Sequence, residues 1–388
     1  MNYIDKLLQG KEVEWKTLGE LASLQRGRVM SKNYLAENKG DYPVYSSQTA
    51  NNGQIGQINS YDFNGEFLTW TTDGANAGTI FYREGRFSIT NVCGLISIKE
   101  NIGLNYRFLF HWLNIEAKSH VYSGMGNPKL MSHQIEKIKI PIPPLSVQRE
   151  IVRVLDTLSE QNKALTTALA NEIDNRKKQY AYYREELFRF EGKEVEWKTL
   201  GDVATYSKKR CNISQLNEYN YVGVDNLLQN RSGKTESKHL PFDGNFTAFK
   251  FEDILIGNIR PYLKKIWFAT CDGGASGDVL VIQNLNDQLN SKYLYQILAD
   301  DRFFNYNMSF AKGAKMPRGD KKKIMDYKFP IPFPSDKEKS IQEQERIVRL
   351  LDQFDTASKN IIAELEKEIE LRNKQYEYYR NQLLMFNG

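Results

Sequence analysis

The residues of this chain that could do chemistry stand at spacings where they cannot combine. Gly233-Lys234-Thr235 looks like the end of a phosphate-binding loop, but Leu228 occupies the place of its first glycine, so no backbone cradle for phosphate follows. Glu14-Trp15-Lys16 and Glu196-Trp197-Lys198 look like the carboxylate–lysine end of a nuclease site, yet no acidic partner sits suitably upstream in both copies. The histidines, His111, His120, His133 and His239, show neither H-x3-H nor HExxH spacing, which argues against a metal centre. Ile142-Pro143-Pro144-Leu145 lacks the amide that would grip a base for methylation, and no glycine-rich cofactor loop follows a strand. A recogniser without its own reaction is expected.

What the loops do carry is a set of forked donors, amides and aromatics. The first half has Arg26, Arg28, Tyr45, Ser47, Gln48, Asn51, Asn52, Asn127 and Lys129. The second has Lys208, Arg210, Asn258, Arg260, Tyr262, Lys264, Lys312, Lys315, Arg318 and Lys322. Arginine and asparagine bind guanine and adenine edges bidentately, while lysine more often holds phosphate. A solvated loop explains any one of these residues as well; recurrence of the set in both halves points to DNA.

The elements that must position this set are duplicated. GKEVEWKTLG occurs at Gly10–Gly19 and again, unchanged, at Gly192–Gly201. Arg149–Asp156 lines up with Glu345–Asp352, and Arg176–Phe190 matches Arg372–Phe386 at nine of fifteen positions, both 196 residues apart. Between these anchors the match decays: Phe67–Tyr82 against Ile254–Ala269, ungapped, keeps two of sixteen. Gly388 falls where Gly192 falls, so the chain is expected to read as a ring of two units cut once.

From about Ser146 to Phe190 there is no proline or glycine, and Ile151, Leu155, Leu158, Leu165, Leu169 and Ile173 form a helical stripe. Ile347, Leu351, Phe354, Ile361, Leu365 and Ile369 repeat it, and Pro141–Pro144 and Pro330–Pro334 introduce the two helices. A helix of forty-odd residues spans roughly 65 Å, and a single apolar stripe needs a partner, for which its own copy is the obvious choice. The variable segments read as mixed α/β, each with one aromatic helix, Leu104–Leu113 and Leu289–Leu298.

The expected architecture is therefore two mixed α/β target recognition domains separated by two long antiparallel coiled-coil helices in a pseudo-twofold repeat. The expected boundaries are 1–18 (N-terminal segment), 19–144 (first recognition domain), 145–190 (first helix), 191–200 (repeated strand), 201–334 (second recognition domain) and 335–388 (second helix). Apolar residues at 40% and charged residues at 26% fit a globular protein, no 18-residue apolar run is present, and no signal peptide is expected from the opening residues. Scattered Cys93, Cys211 and Cys271 suit a reducing cytoplasm, and the net charge of +5 permits nucleic acid without demanding it.

In this order, and twice over, the anchors resemble the specificity subunit of type I restriction–modification systems. The resemblance rests on Glu-Trp-Lys-Thr-Leu-Gly after each boundary, on Tyr42–Tyr45, on Asp253–Tyr262 and on Gly313–Arg318. It also rests on the Pro-rich helix starts with Gln148 and Gln344, and on the Gln-Tyr-x-Tyr-Tyr-Arg helix ends at Gln179–Arg184 and Gln375–Arg380. The first half departs from the pattern, with Glu66–Thr72 where the second has Asp253-Ile-Leu-Ile.

The resemblance implies a non-catalytic subunit whose two domains each read half of a split double-stranded DNA target. It implies that two modification subunits bind S-adenosylmethionine and methylate adenine, and that two restriction subunits, using ATP and Mg, optionally join. This chain would hold no cofactor or metal itself. Trp15, Trp197, Tyr183 and Tyr379 are expected to contact the partner, with a core plug as the alternative for the two tryptophans. The alternatives are a methyltransferase or nuclease fragment with its own active site, and a coiled-coil adaptor that does not bind DNA.

Overall fold

The computed structural model describes residues 3–124, 126–192 and 194–386; Gly388, aligned above with Gly192, lies outside them. The chain divides into two compact units, Met1–Asn171 with Leu365–Gly388, and Glu172–Glu364.

Two helices dominate, Leu145–Leu187 of 43 residues and Lys337–Leu383 of 47. Each begins where the sequence removes the alternatives. Pro144 cannot continue the preceding strand ladder, and its carbonyl accepts from Val147 and Gln148 N–H at 2.9 and 3.1 Å. Asp336 caps the second helix by accepting from Lys339 N–H at 3.0 Å. In the first unit Asn162 donates to Asn373 at 3.0 Å, while Leu155 shares a core with Leu383 and Leu384, so the two helices run antiparallel there. In the second unit Tyr183 stacks on Phe354 at 5.4 Å and 8°, and Phe188 shares a core with Ile347, which is the same sense.

The first unit opens with a short helix α1 (Tyr3–Leu8), whose Ile4 enters the core. Strand β1 (Glu14–Thr17) pairs antiparallel with β8 (Lys139–Ile142), Trp15 opposite Pro141. A six-stranded sheet has the order β2-β7-β5-β6-β3-β4, from Ala22–Arg26, Cys93–Ile98, Phe63–Thr71, Ile80–Ile89, Lys39–Tyr45 and Gln54–Ile58. Helix α2 (Tyr106–Glu116) packs on β6 and β5, burying Phe108, Leu109 and Leu113.

In the second unit β9 (Val195–Thr199) pairs with β18 (Lys328–Pro332), Trp197 opposite Pro330. One four-stranded sheet runs β10-β17-β14-β15, from Ala204–Tyr206, Val279–Asn284, Ile254–Gly257 and Ile266–Phe268. A second runs β11-β13-β16-β12, from Arg210–Asn212, Asn245–Phe249, Gly273–Ala275 and Tyr221–Val222. Helices α3 (Ser291–Leu298) and α4 (Asp301–Ser309) follow.

The order β10-β17-β14-β15 repeats β2-β7-β5-β6 of the first unit. Leu68 stands opposite Ile96 as Ile254 stands opposite Ile282, so the true offset between the sheets is 186 residues. The ungapped match made in the sequence, 187 apart, is thus one residue out of register and exchanges the two faces of each strand.

Each variable segment is fastened to its long helix by one polar joint, built twice. Gln148, fully buried, accepts from Asn105 N–H at 2.8 Å and donates to the carbonyls of Gly103 and Pro143 at 2.9 and 2.8 Å. Gln344 accepts from Asn290 N–H at 2.8 Å and donates to Gln288 O and Ser340 Oγ, both at 3.0 Å. Asn105 and Asn290 cap α2 and α3. About two helical turns on, Asp156 accepts from Arg107 at 2.5 Å and lies 2.8 Å from His111 Nε2, whereas Asp352 takes Lys292 at 2.5 Å and Gln296 at 3.0 Å. Burial opposes ionisation of Asp156, but the hydrogen bonds from Arg107 and His111 prevail and hold its carboxyl below the usual range.

Candidate nucleic-acid interface

At one end of each shared sheet, two loops are knitted by the same backbone bonds. In the first unit β5 runs into Thr72-Asp73-Gly74. Leu130 N–H donates to Thr72 O at 2.9 Å and Gly74 N–H to Pro128 O at 3.0 Å, while Tyr122 and Lys129 exchange two bonds of 2.9 and 3.0 Å. In the second unit Gly319 N–H donates to Asn258 O at 3.2 Å and Arg260 N–H to Pro317 O at 2.7 Å, while Lys312 and Arg318 exchange two bonds of 2.9 Å. Paired donors and acceptors fix the backbone, leaving the side chains of Tyr122–Lys129 and Lys312–Arg318 free to differ.

The structure brings the second unit's Arg260, Tyr262, Lys264, Lys312, Lys315 and Arg318 into this one frame. Arg260 and Lys264 are both left-handed, each with a φ of 52°, and flank the turn Pro261–Leu263 that puts Tyr262 outside. Lys264 donates to Asp301 at 2.7 Å, and burial, helped by nearby Arg231, lowers its pKa; it braces the turn. Arg318 pairs with Asp278 at 3.1 Å and Lys312 with Asp320 at 2.9 Å. Exposed pairs like these are worth at most about 1 kcal/mol, so exchanging an aspartate for a phosphate is cheap. Lys315 is exposed. Lys322 lies in the first turn after Asp320, which accepts from its N–H. Lys208 and Arg210 stand exposed at and before β11, where Arg210 donates to Thr247 Oγ1 at 3.1 Å.

Asn258 is only 5% exposed, with its side-chain Oδ1 unpaired, and faces Asn307 beneath Gly319. It forms the wall of the frame and not its reading edge.

In the first unit Asn127 and Lys129 are exposed on the matching loop. A second loop, Ser46–Gly53, displays Gln48, Asn51 and Asn52. Gln48 donates to Gln54 O at 2.7 Å. Ser47 turns inward, donating to Val92 O and accepting from Thr72 N–H at 3.3 Å. Tyr45 lies under Arg83, a residue that nothing in the sequence singles out. Arg26 donates to Asn91 O at 3.2 Å, and Arg28 pairs with Asp62 at 3.1 Å.

The tryptophans of the duplicated segment have different surroundings. Trp15 meets Trp112 edge-on at 5.6 Å and is largely covered, whereas Trp197 is 64% exposed. Trp112 corresponds to Ile297, too small to reach across. Tyr183 is exposed but stacked on Phe354, and Tyr379 lines a groove with Leu158, Leu165 and Tyr376. Among the described residues no group of three His, Cys, Asp or Glu could hold a metal ion, and no helix is long and apolar enough to cross a membrane.

The type I restriction modification DNA specificity domain matches this chain twice, over residues 10–175 and 192–371. The chain belongs to that specificity family. A putative type I specificity subunit of Mycoplasma pneumoniae, S.MpnORF507P, is 30% identical over 376 residues, covering 95% of this chain and 96% of that one. The EcoR124I/EcoR124II specificity subunit of Escherichia coli is 28% identical over 429 residues, covering 100% and 97%. Another putative M. pneumoniae subunit, S.MpnORF285P, is 38% identical over 185 residues, covering 47% of this chain and 60% of that one. A chain solved in work on assembly and conformational transition of the type I system shares the fold, with a TM-score of 0.70 at 15% identity, covering 96% and 97%. The specificity family thus accounts for the doubled domain, and the divergent loops are the part in which its two copies differ here.

Proposed function

We propose that this chain is the DNA-specificity subunit of a type I restriction–modification complex, and that each unit reads one half of a bipartite double-stranded target. The observation that carries this reading is the pair of matching backbone frames, Gly74 on Pro128 and Arg260 on Pro317, fitted with dissimilar exposed side chains. A shared frame with different donors is what two readers of different sequences need. The functional division follows residues 1–18, 19–144, 145–190, 191–200, 201–334 and 335–388, with the second and fifth as recognition domains. The long helices set the spacing of the half-sites, and the duplicated segments dock two modification subunits, for which Trp197, Tyr183 and Tyr379 are the contact residues, while Trp15, packed on Trp112, plugs the first copy.

The chain itself is non-catalytic and works in the cytoplasm. Methyl transfer to adenine belongs to the modification subunits with their S-adenosylmethionine, and translocation and cleavage to restriction subunits with ATP and Mg. Mapping N6-methyladenine across a genome expressing this chain with its modification subunit tests the reading. A split motif is expected. A continuous motif, or methyl transfer by the isolated chain, overturns it.

A further inference from the structure

One cation of the first unit is buried without a counter-ion. Arg83, on β6, is 3% exposed, and its guanidinium lies 3.6 Å from the centre of the Tyr45 ring and 4.5 Å from that of Phe81. Nε donates to Thr69 Oγ1 at 3.1 Å and Nη2 donates to the main-chain carbonyl of Asn52 at 2.8 Å. Nη1 is buried with no partner. Among the described residues no carboxylate pairs with it, and burial pulls its pKa down. Stripping a guanidinium of water without supplying an anion is unfavourable, so something must retain it.

The second unit serves as an internal control. In the register fixed by the sheets, Tyr82 corresponds to Phe268 and Arg83 to Ala269, which is fully buried. The common sheet therefore closes without an arginine, and Arg83 answers to something peculiar to the first reader. That feature is the Ser46–Gly53 loop, closed by Ser46 N–H donating to Gly53 O at 2.9 Å. Asn51 and Asn52 are successive left-handed residues, with φ of 48° and 52°, and both side chains are exposed. Gly53, φ 80°, lets the arginine approach: a Cβ there would lie 3.1 Å from Nη2. Two adjacent non-glycine residues leave this region readily unless held, and the Arg83 bond to Asn52 is a hold from below.

We propose that Arg83 is a specificity-determining positioning residue of the first reader: it never touches DNA, but by gripping the Asn52 carbonyl it presents the Asn51 and Asn52 amides to base edges in one fixed geometry. This rests on the recognition function proposed above. An asparagine amide pairs bidentately with adenine only when its direction is set.

The test uses the complex of the full chain with its modification subunit, carrying Arg83→Met, Arg83→Lys or Thr69→Val. Binding to DNA with single-base changes in each half-site is measured alongside the methylation pattern. Arg83→Met fills the space between the rings without donors and is expected to lower discrimination in one half-site about tenfold, the scale of one base contact. Discrimination in the other half-site and affinity for nonspecific DNA change less than twofold. Asn51→Ala together with Asn52→Ala relaxes the same positions, and adding Arg83→Met to that pair has no further effect. Thr69→Val, which frees only Nε, gives a smaller relaxation of the same half-site and covers the case in which Arg83→Met fails to assemble. Unchanged discrimination, or equal weakening on both half-sites and nonspecific DNA, overturns the role of Arg83 alone. A wild-type complex with no split motif overturns the recognition function and this inference together.

Discussion

Arg260 and Gly74 stand at the same point of two matching frames. Each N–H donates to a proline carbonyl on the facing loop, and each backbone is left-handed, with φ of 52° and 91°. Glycine adopts that conformation freely, whereas a side chain there costs on the order of 1 kcal/mol or more. The second unit keeps an arginine where the first shows that glycine suffices, so the guanidinium is what the position holds. Arg260→Gly is expected to stabilise the chain by about 1 kcal/mol in denaturant unfolding while abolishing about 1–3 kcal/mol of base discrimination at the second half-site. Arg260→Ala should weaken specific binding far more than nonspecific binding; equal loss would make it a phosphate contact.

Identical sequence predicts identical behaviour for Trp15 and Trp197, and their surroundings predict otherwise. Trp15→Ala removes a ring packed on Trp112 and should cost about 2 kcal/mol of stability. Trp197→Ala, at an exposed position, should cost less than about 0.5 kcal/mol and instead weaken capture of the modification subunit. Unfolding and pull-down measurements on the two variants separate these effects.

Gln148→Leu removes the three hydrogen bonds of a fully buried side-chain amide at the joint between reader and helix, leaving Asn105 N–H and two carbonyls unpaired. A loss of about 2–3 kcal/mol is expected, and Gln344→Leu should match it. A value under about 0.5 kcal/mol for either would show that the joint is not structural there.

His111 gives the first joint a pH dependence that Gln296 cannot give the second. Burial depresses its pKa against the upward pull of Asp156, with Arg107 and Arg380 also lowering it. The folded state then binds the proton less well than the unfolded chain. Stability present above the ordinary histidine value of about 6.5 is therefore lost as pH falls from there through the lowered folded value. Asp156 shifts in the same direction, but its window lies below about pH 4. His111→Gln should flatten the difference in unfolding free energy between pH 7.5 and 5.5.

The long helices were legible because their signal is local: prolines at the start, no breaker for forty residues and a regular stripe. The structure begins them at Leu145 and Lys337 and ends them at Leu187 and Leu383. Strand register was not legible. It depends on which distant segment pairs with Leu68 or Ile254, and a one-residue slip leaves composition unchanged while turning every side chain over. Asn258 looked like a reading amide by type, and only its burial shows it to be wall. Arg83 escaped notice because Tyr82-Arg83-Glu84 alternates like an ordinary half-exposed strand; its enclosure comes from Tyr45 and Asn52, more than thirty residues earlier.

The first unit's core is completed by Leu383, Leu384 and Phe386, while the whole second unit lies between Glu172 and Glu364. During synthesis the part made first must therefore wait. Residues emerging early from the ribosome keep an open seam until some two hundred more have followed, whereas the later half can close almost as it appears. Translation halted after Glu364 would leave the older reader unsealed and hand it to proteases and chaperones, while the younger one stood complete.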